Sequence, residues 1–465
     1  VEIIVTNNRA WVNGSPEDHV AVYWALSYRV PETQLKMMRS PAARKNPYRS
    51  LYDRRKKWFP SGLTTRVVDY LSERRIYFEV ADHRSMPKRP QWPVKLNGIT
   101  LREEQVLACT KFLTAGQGIL KLGTGAGKTE CAIAIAKACN VPTIVLTHRV
   151  NLVYQTAMRF AKRWPEAKND IGIVGNGKFD VKPLTFATVQ TLHSAVKQYG
   201  KEAVDMLKPF QLMIIDEAHR VGADQFHQTA DLLQNAYWRL GLTATPFMSD
   251  NPADNLQLEG TVGRVVHEVS PTTLIEEGTL AKPFFKYFEI NEPKDIEGLR
   301  NWRDIYEEGI IHNTFRNRII ASNTSKLIDM NYKPLVIVQE LAHGKILFEA
   351  IMSTGKRVSL VTGGDDMAVR VNALKRLSNG SIDAIISTNI FDEGIDVAEV
   401  SSVIFASGGK SPMALFQRTG RAIRKKEGRN MAIIIDFIDR QHRTLLKHSL
   451  RRQQLVRSEP GFQIV

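Results

Sequence analysis

At 465 residues the chain is too long for one ordinary hydrophobic core and predicts two or three domains. Its 43% hydrophobic and 24% charged residues exclude a disordered or fibrous chain, and no apolar stretch approaches the roughly 20 residues that span a bilayer. The 64 Lys+Arg against 48 Asp+Glu leave a net charge of +16, which favours a polyanionic partner, nucleic acid or an anionic membrane surface.

The first 92 residues are the most basic part. They hold 17 Lys+Arg against 9 Asp+Glu, 17 − 9 = +8, half of the total excess. The run Arg54-Arg55-Lys56-Lys57-Trp58 places four cations beside an aromatic, a pattern suited to phosphates and an unpaired base. A folded cap with Trp58 and Phe59 in its core is the competing reading. RSMPKRPQWP (84–93) reads as the linker out of this N-terminal domain, 1–92. Residues 93–270 then repeat a strand-then-helix rhythm, with strands expected at 119–122, 143–147, 184–189, 212–216 and 240–245. Residues 325–440 do the same at 334–339, 357–363, 382–388, 402–407 and 431–437. These patterns predict two doubly wound α/β lobes, with ligands expected at the carboxyl ends of their strands. The charged and aromatic stretch 271–324 reads as a connector whose FFKYF (284–288) is core or a strand-separating wedge. The tail 441–465 reads as a basic helix, with a solvated face as its default. The three cysteines, Cys109, Cys131 and Cys139, form no CxxC pair and read as small core residues in a reducing compartment.

The chemistry is concentrated in a few motifs. Gly123-Thr124-Gly125-Ala126-Gly127-Lys128-Thr129 comes after an expected strand and precedes an expected helix, the context of a phosphate-binding loop. Its glycines let backbone N–H groups turn around phosphates, Lys128 adds a charge, and Thr129 offers a hydroxyl to Mg²⁺. Asp216-Glu217-Ala218-His219 stands at the end of another expected strand, about 90 residues on. There Asp216 can hold Mg²⁺ through water and Glu217 can deprotonate the attacking water. Hydrolysis of a nucleoside triphosphate, ATP with Mg²⁺, is the expected reaction. In the second lobe Gln417-Arg418-Thr419-Gly420-Arg421-Ala422-Ile423-Arg424 puts Arg421 and Arg424 on one helical face, suited to a developing γ-phosphate charge.

With GTGAGKT, DEAH, LTATP (242–246), STNIFDEGIDV (387–397) and QRTGRAIR in this order, the chain resembles a superfamily 2 helicase or translocase over about 100–430. The resemblance implies two tandem RecA-like doubly wound parallel-sheet lobes preceded by a small basic α+β domain. It implies that Gln105 reads adenine, and that Thr147, His148, Arg149 and Thr188 contact the nucleic-acid backbone. Thr243 and Thr245, with His219, would couple ATP state to strand grip. Thr388 would contact a phosphate, while Glu393, Gly394 and Asp396 would form a nucleotide-side loop joined by Gln417 and the two arginines. The chain runs about 40 residues past its last motif, too short for the further domains of DEAH RNA helicases, and has Ile423 where those usually have glycine. HGKILFEAI (343–351) and NPYRSLYDRRKKWFPSGL (46–63) are more similar to phage helicases of the UvsW kind. That implies ATP-driven remodelling of forks, D-loops and Holliday junctions in recombination, repair and replication restart, in the cytoplasm of a bacterial host if the chain is phage-encoded.

Two other readings stay open. The motor alone does not separate DNA from RNA, so a duplex DNA translocase or an RNA helicase fits as well. An ATP-gated clamp that binds nucleic acid without unwinding would show decayed hydrolytic residues, and Lys128, Glu217, Arg421 and Arg424 are intact. The chain opens on Val1, which fits an alternative start codon, processing or a fragment.

Overall fold

The structure is a computed structural model that describes residues 1–37, 45–123, 125–220, 224–247, 251–292, 295–388, 400–409 and 431–465. The chain divides after Val269 into two units, Val1–Val269 and Ser270–Val465. No helix among the described residues is long and apolar enough to cross a membrane.

The first unit opens with a four-stranded sheet in the order Trp58–Pro60, Arg9–Asn13, Glu2–Val5, Glu79–Asp82. The first two pairings are antiparallel, and Glu2–Val5 runs parallel to Glu79–Asp82. Alternation explains its core: Ile3, Val5, Ala10 and Val12 point inward with Phe59, Leu63, Val67 and Leu71. Leu256, from far along the chain, completes this cluster. The small α+β domain therefore shares apolar packing with the first lobe.

That lobe is built on an eight-stranded sheet whose central strands are buried on both sides, as in helix-covered parallel sheets. Its order is Lys178–Phe179, Ile171–Gly175, Leu184–Thr188, Thr143–Thr147, Leu212–Asp216, Trp238–Thr243, Gln117–Leu122, Val265–Val269. All pairings are parallel except the first. All five expected strands fall within two residues of the observed ones; the one expected at 240–245 spans Trp238–Thr243. Ile171–Gly175 and Val265–Val269 went unread because glycine and charge interrupt their apolar runs.

The second unit carries a seven-stranded, fully parallel sheet in the order Val358–Val361, Ala384–Ser387, Pro334–Ile337, Ser402–Phe405, Met431–Asp439, Lys282–Ile290, Gln463–Ile464. The connector expected at 271–324 does not stand as a separate segment. Lys282–Ile290 pairs with Met431–Asp439 along its whole length. Phe285 within FFKYF is fully buried and stacks on Phe462, so this run is sheet core and not a wedge. The tail 441–465 is likewise built into the second lobe: Arg452 is buried and salt-bridged to Asp436. The tail holds the expected basic helix, Arg443–Arg457, and in both segments the charges mask a one-sided apolar pattern that packs into the sheet.

Candidate nucleotide site and its surroundings

The strand Gln117–Leu122 ends at Gly123, and the helix Lys128–Cys139 begins five residues later. Gly125 (φ +89°) and Gly127 (φ +82°) take the left-handed conformation that only glycine adopts without strain. A Cβ on Gly127 would meet Gln105 Nε2 at 2.1 Å, so this glycine is also required for close approach. Gln105 is buried; its Nε2 donates to the Ala126 carbonyl at 2.8 Å, and its Oε1 accepts from the Arg102 N–H at 2.9 Å. Arg102 Nη2 donates to the same Ala126 carbonyl at 2.9 Å and to that of Gly125 at 3.3 Å. The loop is thus held by two side chains through its Gly125 and Ala126 carbonyls. Arg102 was not singled out in the sequence, although it sits three residues before Gln105, the spacing of a helix cap. Lys128 Nζ donates to the Leu122 carbonyl at 3.3 Å.

Asp216 ends the buried strand Leu212–Asp216. Burial, then the neighbouring Glu217 charge, pushes its carboxyl up to about 6; the Lys128 and His148 charges pull the other way. The Glu217 N–H donates to Asp216 Oδ1 at 3.0 Å. Glu217 adopts φ +52°, strain of the kind that clusters at functional sites. Its buried Oε2 has no hydrogen-bond partner among the described residues and lies 3.4 Å from His219 Nδ1. His219 Nδ1 is also 3.0 Å from Thr243 Oγ1, and that hydroxyl accepts from the Thr245 N–H at 3.1 Å. Glu217, His219, Thr243 and Thr245 are therefore linked in one chain of contacts. Two adjacent half-buried carboxylates, one with an unengaged oxygen, stand with Thr129 and Lys128 at the start of the helix Lys128–Cys139 as a set that fits a nucleotide with Mg²⁺. Among the described residues no cluster of three or more His, Cys, Asp and Glu could hold a metal ion.

Other expected site residues are used locally. Thr188 caps the helix Val189–Tyr199, accepting from the Thr191 N–H at 3.3 Å, and the buried Thr147 donates to the Arg149 carbonyl at 3.1 Å. Thr388 comes directly after the strand Ala384–Ser387 in the second unit. Thr124, Glu393, Gly394, Asp396, Gln417, Arg421 and Arg424 lie outside the described residues. The three cysteines are buried and unpaired, as expected.

The basic turn is ordered by its own backbone. Asp53 Oδ1 accepts from the N–H groups of Arg55 and Lys56 at 3.0 Å each, and Asp53 O accepts from Lys57 N at 2.7 Å. All four cations stay exposed, with Arg54 over the Tyr23 ring at 4.3 Å. Phe59 is core, as a folded cap requires, whereas Trp58 lies half-buried beneath Arg9, 4.3 Å from ring to guanidinium. Arg9 in turn bonds Asp231 at 2.7 Å, and Asn8 Nδ2 reaches the same carboxylate at 3.3 Å. Gly62 lies against the helix Pro252–Val262, where a Cβ would fall 2.3 Å from the Glu259 carbonyl. WFPSGL is thus the seam that joins the N-terminal domain to the first lobe.

In the second unit three buried donors grip the exit of the strand Ser402–Phe405. Arg316 donates to Ala406 O at 2.7 Å, Tyr306 to Ser407 O at 2.7 Å, and Arg452 to Gly409 O. Arg316 also pairs with Asp439 at 3.0 Å and Arg452 with Asp436 at 2.8 Å. The sequence offered no signal for this collar beyond isolated arginines in helices.

Comparison with known proteins agrees with this construction. The family model described as type III restriction enzyme, res subunit, matches residues 98–248, and that of the helicase conserved C-terminal domain matches 313–426. The DNA 3'-5' translocase XPB2 of Sulfurisphaera tokodaii is 26% identical over 80% of this chain and 88% of its own length. The ATP-dependent DNA helicase uvsW of Enterobacteria phage T4 is 26% identical over 55% of this chain and 50% of its own. Among solved structures, a fragment of a putative HsdR subunit of a type I restriction enzyme from Vibrio vulnificus aligns with a TM-score of 0.59 at 17% identity, over 81% of this chain and 68% of that one; this likeness concerns the fold. Two RecA-like parallel-sheet lobes, the ordered phosphate-loop and DEAH geometry, and the paired family matches place this chain among the superfamily 2 helicases, near the phage UvsW kind.

Proposed function

We propose that the chain is an ATP-dependent DNA helicase that remodels branched DNA. The observation that carries the hydrolytic part is Glu217: its backbone is strained, its buried Oε2 is unbonded, and it is linked through His219 to Thr243. In this reading the loop N–H groups and Lys128 hold the β- and γ-phosphates. Glu217 takes the proton of a water whose oxygen bonds to the γ-phosphorus as the bond to the β-phosphate oxygen breaks, leaving ADP and phosphate. Mg²⁺, held through Asp216 and Thr129, would neutralise charge on the phosphate oxygens. His219 and Thr243 sense the change at Glu217, and Thr245 carries it along the adjoining backbone. Gln417, Arg421 and Arg424 would complete the charge stabilisation from the second lobe.

DNA as substrate is supported by relatives named as a DNA translocase and a DNA helicase. The branched form is supported by the rigid basic turn 54–57, seamed to the ATP-binding lobe through Gly62 and Arg9. In this arrangement residues 1–92 choose the substrate and the two lobes supply the motor. Because Leu256 belongs to the N-terminal core, deleting 1–92 would unmask apolar surface. The clean test is therefore Arg54, Arg55, Lys56 and Lys57 all changed to Gln. ATPase and strand displacement are compared on single strands, blunt duplex, forks and four-way junctions, in DNA and RNA. The expected outcome is retained ATPase with lost preference for forks and junctions. Unchanged junction preference would refute the selector role, and equal activity on RNA would refute the DNA assignment.

A further inference from the structure

The helix Arg443–Arg457, RTLLKHSLRRQQLVR, contains no acidic residue. Its inner side is fixed. Leu445, Ser449, Arg452 and Val456 are buried, and Arg452 donates to both Asp436 oxygens at 2.9 and 2.8 Å. Its start is fixed too. His442 Nε2 donates to the Leu299 carbonyl at 3.1 Å, while its Nδ1 accepts from the Thr444 N–H at 3.1 Å. A basic helix merely lying in solvent has no need of such anchoring on both sides.

The outer side presents Arg443, Lys447 and Arg451, all exposed and four residues apart. With Thr444 and His448 they line a cleft of about 430 Å³. A helix rises 1.5 Å per residue, so the three cations form a row with steps of about 6 Å. Such a row can track the backbone of a flexible single strand, which carries one phosphate per nucleotide. At its edge stands Trp302, 39% exposed, which meets the His448 ring edge-on at 5.0 Å. The bond from His442 to Leu299 holds this tryptophan's segment against the helix start.

We infer that this face is a single-stranded nucleic-acid site of the second lobe, with phosphates along Arg443, Lys447 and Arg451 and a base against Trp302. The inference rests on the nucleic-acid motor reading and adds a contact that no motif residue supplies. None of these side chains belongs to the nucleotide site, so basal hydrolysis does not depend on them.

The test uses the full chain with Arg443→Gln, Lys447→Gln and Arg451→Gln combined, and separately Trp302→Ala. Binding of single-stranded and duplex oligonucleotides is titrated across salt, beside ATPase without nucleic acid. The triple variant should lower the single-strand salt slope by about 2, from roughly 0.7 per lost phosphate contact. Trp302→Ala should weaken single-strand binding roughly five- to hundredfold while leaving the slope intact. Basal ATPase should be unchanged in both. If the parent chain shows strand-stimulated ATPase and the triple variant keeps its slope and affinity, this site is overturned and the motor reading stands. A parent chain whose ATPase ignores every nucleic acid overturns both.

Discussion

Asp216→Asn separates a carboxylate that folding tolerates from one that nucleotide binding requires. In the folded chain Asp216 sits at about 6, above its ordinary 3.8, because burial and the Glu217 charge disfavour ionisation. The folded state therefore binds this proton more tightly than the unfolded state. Below pH 3.8 both states are protonated and the group contributes nothing. As pH rises from about 4 to 6 the unfolded chain releases the proton first, and stability falls. Above 6 the full penalty applies, at most about 3 kcal/mol at 1.36 kcal/mol per pH unit, since Asp216 keeps some solvent contact. Without nucleotide, the variant should melt higher than the parent at pH 8 by up to several degrees, a gap that closes at pH 4. Binding of ATP with Mg²⁺ should behave oppositely. Below about pH 6 the parent should lose up to tenfold in affinity per unit as Asp216 protonates. The variant should bind weakly and without that dependence. Thermal melts and nucleotide titrations at pH 5, 6, 7 and 8 measure both effects. A variant no more stable than the parent at pH 8, with the same pH profile for Mg²⁺-dependent binding, would refute the assignment.

Lys128→Ala should weaken ATP binding, whereas Glu217→Gln should keep binding and stop turnover; nucleotide titration beside phosphate release distinguishes them, and near-normal ATPase in the second removes Glu217 as base. Gly62→Ala drives a methyl to 2.3 Å from the Glu259 carbonyl, so the seam must shift at a cost of about 1–3 kcal/mol. The expected reading is a lower melting temperature together with a reduced ratio of DNA-stimulated to basal ATPase. Tyr306→Phe leaves the Ser407 carbonyl without its buried donor, costing about 1–3 kcal/mol, read as a lower melting temperature; an unchanged melt would refute the bond's structural role.

The sequence by itself determined the motor. GTGAGKT and DEAH are local: glycine conformations, a lysine at a helix start and an acidic pair at a strand end need no distant contact to be recognised. Buried parallel strands such as TIVLT and LMIID announce themselves because both of their faces are apolar. What only the tertiary structure decided depends on partners far along the chain. FFKYF and Lys282–Ile290 became sheet core because Met431–Asp439 offered a parallel edge. WFPSGL, which reads locally as part of a basic binding run, became a seam because Glu259, Gly260 and Asp231 stand opposite it. Gln105 and Arg102 proved to grip the phosphate loop through its carbonyls. The tail helix, uniformly basic as a string, was divided by Asp436 into a buried arginine and an exposed row of three cations. Charge is legible in a sequence, but whether a charge is spent inside the fold or presented outward is fixed only by the group that faces it.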